Sequence, residues 1–249
     1  LTDLALVRAT EERLVNVWPA VSTLFMDGWV VRFANGYSGR ANSASAVVQG
    51  AALDSSLLSE FERLYIEAGL PPSVRVTPVC DRGVEPFLLE RGYRIKDQSR
   101  IMTRDLAGYR GRMPDPRVRI EGAPSRRWLA GVCGHQRADK RNVDHLLAIV
   151  GQIRVPAAFA ICEVDGRPAG FGMCAVDRGL AEIGSVIVDG TMRGQGLGRR
   201  TVDALLAWAA GEGAAQAFLQ VDAANAVALG LYQSQGFRAL ADYRTMVRS

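Results

Sequence analysis

Arg193-Gly194-Gln195-Gly196-Leu197-Gly198 stands between the apolar stretch Ile183-Gly184-Ser185-Val186-Ile187-Val188 and a segment, Thr201 to Gly211, that carries Val202, Leu205, Leu206 and Trp208 at helical spacing. A strand, a glycine-rich turn and a helix in this order present a row of free backbone N–H groups to a phosphate-bearing ligand. Glycine lets the chain turn tightly and lets phosphate oxygens approach closely, and the helix adds the positive end of its dipole. Arg193 opens the turn and Arg199-Arg200 follow it, so side-chain charge supplements the backbone donors. A plain strand-to-helix connection carrying surface arginines is the alternative.

Two nucleotide motifs fail here. A phosphate loop of the NTPase type needs Lys-Ser or Lys-Thr after its last glycine, where this chain has Arg199-Arg200. A dinucleotide fold places its glycines after the first strand of its βαβ unit and an acidic residue at the end of the second. This turn instead follows a hairpin, and Val221-Asp222 is only a loose match.

That hairpin lies upstream, where Ala158 to Val164 and Ala169 to Val176 read as strands joined at Asp165-Gly166, a strong hairpin signal. Ala181 to Val188 is the next strand. Downstream, Ala217 to Val221 reads as a strand, Asn225 to Gln235 as a helix, and Phe237 to Val247 as a pair of short strands around Asp242. Before the hairpin, a pattern begins at Trp128 to Cys133 and a helix runs from Asn142 to Gly151. The earlier part of the chain gives a helix over Thr10 to Thr23, a strand over Trp29 to Phe33 and a helix over Leu57 to Ala68. A strand over Val74 to Val79, a short helix over Gly83 to Arg91 and a strand or strand pair over Arg94 to Thr103 complete it. Gly108, Gly111, Pro114 and Pro116 mark Leu106 to Pro116 as a connector, giving domains 1–112 and 113–249. Alternating elements with an antiparallel hairpin imply a mixed sheet covered by helices, in the α/β (α+β) class. Leu88-Leu89-Glu90-Arg91-Gly92-Tyr93 echoes the ending Leu231 to Phe237, which makes a duplicated fold plausible.

With 249 residues, 48% of them hydrophobic, the chain is long enough for one large core or two ordinary ones and too apolar for disorder. A net charge of +4 without a long basic tract gives no reason to expect nucleic acid, although it suits a ligand with several phosphates. Cys80, Cys133, Cys162 and Cys174 are far apart, which points to buried thiols and neither a zinc cluster nor a disulfide scaffold. His135 and His145 lack a ligand pattern, so no metal is expected. The apolar runs are too short to cross a bilayer and the first residues lack a leader pattern, so a cytoplasmic protein is the simplest expectation. The missing initiator Met leaves open whether an upstream segment was removed.

Residues Ala158 to Arg248 resemble the C-terminal two-thirds of a GNAT-family acetyltransferase domain. That family's phosphate-binding signature is Arg or Gln, two variable residues, Gly, one variable residue, then Gly or Ala, which Arg193, Gly196 and Gly198 fill. Asn225, Leu231-Tyr232 and Gly236-Phe237 match its later helix. The resemblance implies two GNAT-like mixed-sheet domains flanked by helices, with acetyl-coenzyme A as donor and a small-molecule or peptide amine as acceptor. It also implies that the strand Ile183 to Val188 splays from its neighbour and bonds pantetheine through its backbone at Val186, Ile187 and Val188. Cofactor contacts then fall to Arg193, Gly194, Gln195, Gly196, Leu197, Gly198, Arg199, Asn225 and Tyr232.

The same resemblance makes Tyr232 the group that protonates the coenzyme A sulfur, while an aromatic on such a helix is otherwise core. Glu182 resembles acidic positions that accept the amine proton, a surface glutamate being the alternative; Glu163 is a weaker competitor. Asn225 caps its helix and has an amide to offer a cofactor. Tyr243 lines the acceptor pocket or packs at a strand edge. The first half lacks the glycine loop and looks like a degenerate repeat that shapes the acceptor site, with Arg40, Asn42 and Ser43 as cleft candidates or a solvated turn. Without productive acceptor geometry the chain would be a noncatalytic acetyl-coenzyme A sensor or an interaction module. A monomer or a homodimer fits either case.

Overall fold

The computed structural model describes residues 2–109, 115–136 and 141–248; the expected boundary between residues 112 and 113 lies outside them. The first helix, α1 (Leu4–Val17), is capped by Asp3, whose carboxylate accepts the N–H of Leu6 at 3.0 Å. It starts and ends earlier than the Thr10–Thr23 expectation. Pro19 has no N–H to continue the ladder and keeps Trp18 out of helical geometry, so the chain turns there into β1 (Ser22–Met26). Val21, which seemed to extend the apolar face, bonds through its backbone N–H to Phe33 in the next strand.

β2 (Trp29–Phe33) returns through Asp27-Gly28, both at positive φ, as a type I′ turn demands. β3 (Ala44–Ala46), α2 (Ser55–Glu67), β4 (Ser73–Val76), α3 (Val84–Glu90) and β5 (Arg94–Asp105) complete the first half. The second half contains β6 (Val118–Glu121), α4 (Arg126–Gly134), α5 (Val143–Val150), β7 (Ala157–Val164), β8 (Arg167–Asp177) and β9 (Leu180–Val188). It ends with α6 (Leu197–Gly211), β10 (Gln216–Asp222), α7 (Ala226–Ser234) and β11 (Arg238–Val247). Asp165 and Gly166 form the expected hairpin turn at positive φ. The final segment is one strand bulged beside Leu240, where two short strands were expected.

All the strands belong to one sheet of order β1-β2-β3-β4-β11-β5-β10-β9-β8-β7-β6. The halves therefore exchange their last strands: β11 pairs with β4 of the first half, and β5 pairs with β10 of the second. β5 and β11 pair antiparallel with each other at the centre, and Tyr243 stands opposite Ser99. These two residues have the same offset as the echoing glycines Gly92 and Gly236, so a pseudo-twofold axis passes between them. The cores follow the exchange. Met102 and Leu106 pack among α6 and β10 side chains, while Tyr243 and Met246 pack with Trp29, Phe61 and Val74 of the first half.

Candidate active site

β9 and β10 run parallel and pair only from Leu180–Gln216 to Glu182–Phe218; beyond Glu182 the strands part. The cause is on the other side of β9. Between Phe171 and Met173 the β8 register slips, so Ser185 and Val186 both stand opposite Gly172, and Ser185 takes φ 51. A non-glycine residue in this region stores about 1–3 kcal/mol of strain and bends the strand. Val186, Ile187 and Val188 are half-buried, with their β10-side edge unpaired.

The glycine-rich turn closes this split. Asp189 bonds Thr191 through its carboxylate, a short 3₁₀ turn follows, and Gly194 and Gly196 both adopt positive φ. Gly196 occupies the cap position of α6 and supplies no side-chain acceptor, so the first N–H groups of this 15-residue helix have no side-chain partner among the described residues. Among the described residues, every other helix of eight or more residues has a side-chain cap, from Asp3, Asp54, Ser125, Asn142 or Asn225. Leu197 anchors the turn by burial against Cys162 and Ala169. Gly198 lies against Leu231 of α7, where an added Cβ would stand 3.2 Å from Leu231 Cδ2.

The arginines divide their roles. Arg193 is exposed and bonds nothing among the described residues. Arg199 donates to Ser234 Oγ at 2.9 Å, bracing α6 against α7, and Arg200 pairs with Asp115. Gln195 stays at the surface, its amide on Met192 Sδ. Asn225 caps α7 by accepting from Ala228 N–H at 3.0 Å, and its amide N–H groups have no partner among the described residues.

Glu182 is fully buried at the last paired position before the split. Burial pushes its carboxyl above the ordinary glutamate range, against the opposing pull of Arg40. Arg40 Nη1 lies 2.9 Å from Glu182 Oε1, whereas Oε2 has no hydrogen-bond partner. The carboxylate folds over Gly184, where any Cβ would stand 2.9 Å from Oε2. Tyr232 projects from α7, buried and edge-on to Phe237 at 5.9 Å between ring centres. Burial, then the negative field of Glu182, pushes its hydroxyl up to about 12, so it holds its proton at neutral pH. The two candidate proton carriers thus share one electrostatic environment.

The first half supplies Arg40 alone of its three cleft candidates. Asn42 accepts from Ala34 and Gly36 N–H and donates to Ser38, while Ser43 donates to Gly39, so both brace the loop that carries Arg40. Glu163 pairs with Arg127 on the outer hairpin. Tyr243 is buried and donates to Gln220 at 2.9 Å, the packing role at the strand exchange rather than a pocket wall. The helix that corresponds to α6 in the first half, α2, is closed by Asp54, whose carboxylate takes the Leu57 N–H at 2.9 Å and would repel a phosphate. A cavity of ≈ 510 Å³ lies near Trp208 and Glu212 at the opposite end of α6. Among the described residues no cluster of His, Cys, Asp or Glu is placed to hold a metal, the cysteines are buried free thiols, and no helix is long and apolar enough to cross a membrane.

Residues 4–246 match the family described as "Probable histone acetyltransferase Rv0428c C-terminal". The chain belongs to this family of GNAT acetyltransferases. It is 24% identical over 250 residues to an uncharacterized N-acetyltransferase, YobR, of Bacillus subtilis (strain 168), covering 97% of this chain and 98% of that one. A GCN5-related N-acetyltransferase from Kribbella flavida has a similar fold, with TM-score 0.69, 15% identity, and 99% and 96% of the two chains covered. A tandem GNAT protein from the clavulanic acid biosynthesis pathway aligns with TM-score 0.61 and 13% identity over 78% of this chain and 68% of its own. Family and fold are those of acetyltransferases. The open N-terminus of α6 is the feature that the residues Arg193 to Gly198 encode.

Proposed function

We propose that the protein transfers an acetyl group from acetyl-coenzyme A directly to an amine. The observation that carries this reading is the uncapped N-terminus of α6 beside the β9–β10 split, with Glu182 at the split and Tyr232 within its field. The residues fit the donor. The free N–H groups of Leu197, Gly198 and Arg199, with the turn at Gly194 to Gly196 and the Arg193 side chain, suit a pyrophosphate. The open edge of β9 at Val186 to Val188 offers backbone partners to an amide-bearing chain, and Asn225 at the start of α7 has amide N–H groups to add.

Transfer needs a neutral, aligned amine and a proton for the departing thiolate. Glu182 takes a proton from the attacking nitrogen; with no exposed surface, it does so through a bridging water. The nitrogen–carbon bond forms as the carbon–sulfur bond breaks, and Tyr232 gives its proton to the sulfur. The amine sheds two protons as it goes from ammonium to amide, one of which balances the thiol, so one is released per turnover.

The direct test is coenzyme A release from acetyl-coenzyme A across a pool of primary amines, with Tyr232→Phe alongside. The expected result is amine-dependent release that falls by about 10²-fold in the variant, within the usual range for a lost general acid. Cofactor binding with no release for any amine would instead mark a sensor. Glu182 must lose its proton to act as base, so kcat/KM is expected to rise with pH through an apparent pKa above the ordinary glutamate range. Glu182→Gln should remove that limb; a limb that survives the substitution assigns the base elsewhere.

Gly184→Ala gives a separate check on Glu182. The new methyl displaces the carboxylate while leaving the α6 turn untouched, and a misplacement of this size lowers turnover by about 10–100-fold. KM for acetyl-coenzyme A should change little. An unaltered kcat would show that the carboxylate position does not matter.

A further inference from the structure

From the juxtaposition of Arg40 and Glu182, we infer that the acceptor is an amine bearing a carboxylate on the adjacent carbon, an amino acid, with Arg40 binding the carboxylate while Glu182 serves the amine. This rests on the transferase reading above and adds the substrate class. The base is not a lone carboxylate. It is half of an ion pair whose other half comes from the degenerate repeat, with Arg40 Nη1 2.9 Å from Glu182 Oε1. The two groups show complementary vacancies. Glu182 Oε2 is a fully buried acceptor that receives no hydrogen bond from the described residues. The remaining guanidinium N–H groups of Arg40 have no acceptor among the described residues, and its side chain is 22% exposed, so these donors reach open space.

The guanidinium is also held in place. It lies over the Trp18 ring at 5.1 Å, and its loop is braced by Asn42 and Ser43. Its neighbours leave positive charge over. Arg32 is buried and feels Arg75, Glu11 and Arg40, but its hydrogen bond goes to the Trp18 carbonyl and to no carboxylate. Glu11 is taken bidentately by Arg75. The connected set therefore contains three guanidiniums, Arg32, Arg40 and Arg75, against two carboxylates, Glu11 and Glu182. An acceptor carboxylate on Arg40 would restore the balance, and a guanidinium fork suits that group geometrically. A simple alkylamine or a polyamine would bring further positive charge to a site already in excess.

The experiment compares L-amino acids with their amides and with the decarboxylated amines, following coenzyme A release by the wild type, Arg40→Gln and Arg40→Lys. Wild type should favour the free acids over the amides by at least about tenfold in kcat/KM, the size of one charge-assisted hydrogen bond. Arg40→Gln should bring that ratio near one through KM, and Arg40→Lys should restore part of it. If Arg40 only positions Glu182, the substitution lowers kcat for both acceptor classes together and leaves the ratio intact, which overturns the inference. A wild-type ratio near one, with turnover present, overturns it as well and leaves the transferase reading standing. Calorimetric titration of the same amino acids onto protein saturated with coenzyme A separates the remaining case. Arg40-dependent binding without turnover would sustain carboxylate recognition while rejecting acetyl transfer; no binding and no turnover would reject both.

Discussion

Residues 115–249 expressed alone will not give a folded acetyltransferase domain, although they contain the whole glycine-rich turn, Glu182 and Tyr232. The reason is the exchange of β5 and β11. Without β5, the seven paired positions of β10 from Gln216 to Asp222 lose their antiparallel neighbour, and β11 loses both of its partners. The second-half core also loses Met102 and Leu106, while Tyr243 and Met246 lose the side chains that cover them. Each such side chain contributes about 1.5–3 kcal/mol when buried, against a total stability of about 5–15 kcal/mol for a domain. An exposed, flat strand edge then invites association. The expected result is a fragment that aggregates or binds hydrophobic dye without a cooperative melt, whereas co-expression with residues 1–109 restores a soluble complex. A monomeric fragment with a sharp thermal transition would show that the exchange is dispensable.

What could be read from the sequence was local. Gly194, Gly196 and Gly198 were expected in a tight turn, Asp165-Gly166 in a hairpin and Asn225 at a helix cap; each depends on a few neighbouring residues, and the hairpin and the cap are found, while the turn takes positive φ at Gly194 and Gly196 and Gly198 already lies in α6. The helix boundary at Trp18-Pro19 was equally local, but the apolar spacing of Val17 and Val21 outweighed the proline and carried the helix too far. The strand exchange was not legible because pairing partners leave no mark on a strand's own pattern. Only the echo between Leu88–Tyr93 and Leu231–Phe237 hinted at the symmetry that makes it possible. The same limit applies to the site. The type and place of Glu182 and Tyr232 came from the second half of the chain, but the Arg40 that pairs with Glu182 lies 142 residues away in the first. Arg40 stood beside Asn42 and Ser43 as a cleft candidate, and nothing in its own loop told which of the three reaches Glu182.

Glu11→Ala is expected to have the largest effect on stability of any single substitution, because it strips the carboxylate from the most deeply buried ionic cluster. Arg75 and Glu11 are each 1% exposed in their side chains and bond bidentately, at 2.6 and 3.0 Å. Around them, Arg75 reaches Ser45 and Gln220 and lies 4.3 Å over the Tyr243 ring, so α1 and β4 of the first half are joined to β10 and β11 of the second. Glu11 also offsets Arg32, whose guanidinium is pushed down to about 9 by burial and then by Arg75. It still carries its charge at neutral pH. Removing Glu11 would leave two guanidiniums buried without a carboxylate, and breaking a buried pair on one side costs about 3–5 kcal/mol. The expected observation is a denaturant midpoint lowered by that free energy divided by the slope, with the slope unchanged. The Glu11→Met, Arg75→Met double variant should recover much of the loss that Glu11→Met alone causes, since replacing both partners leaves one stranded cation fewer, and the cycle of wild type, the two Met singles and the Met double isolates the coupling. If the single and double variants were equally unstable, the ion pair would not be what holds α1 to the exchanged strands, and the packing of Val7 and Leu14 would take its place.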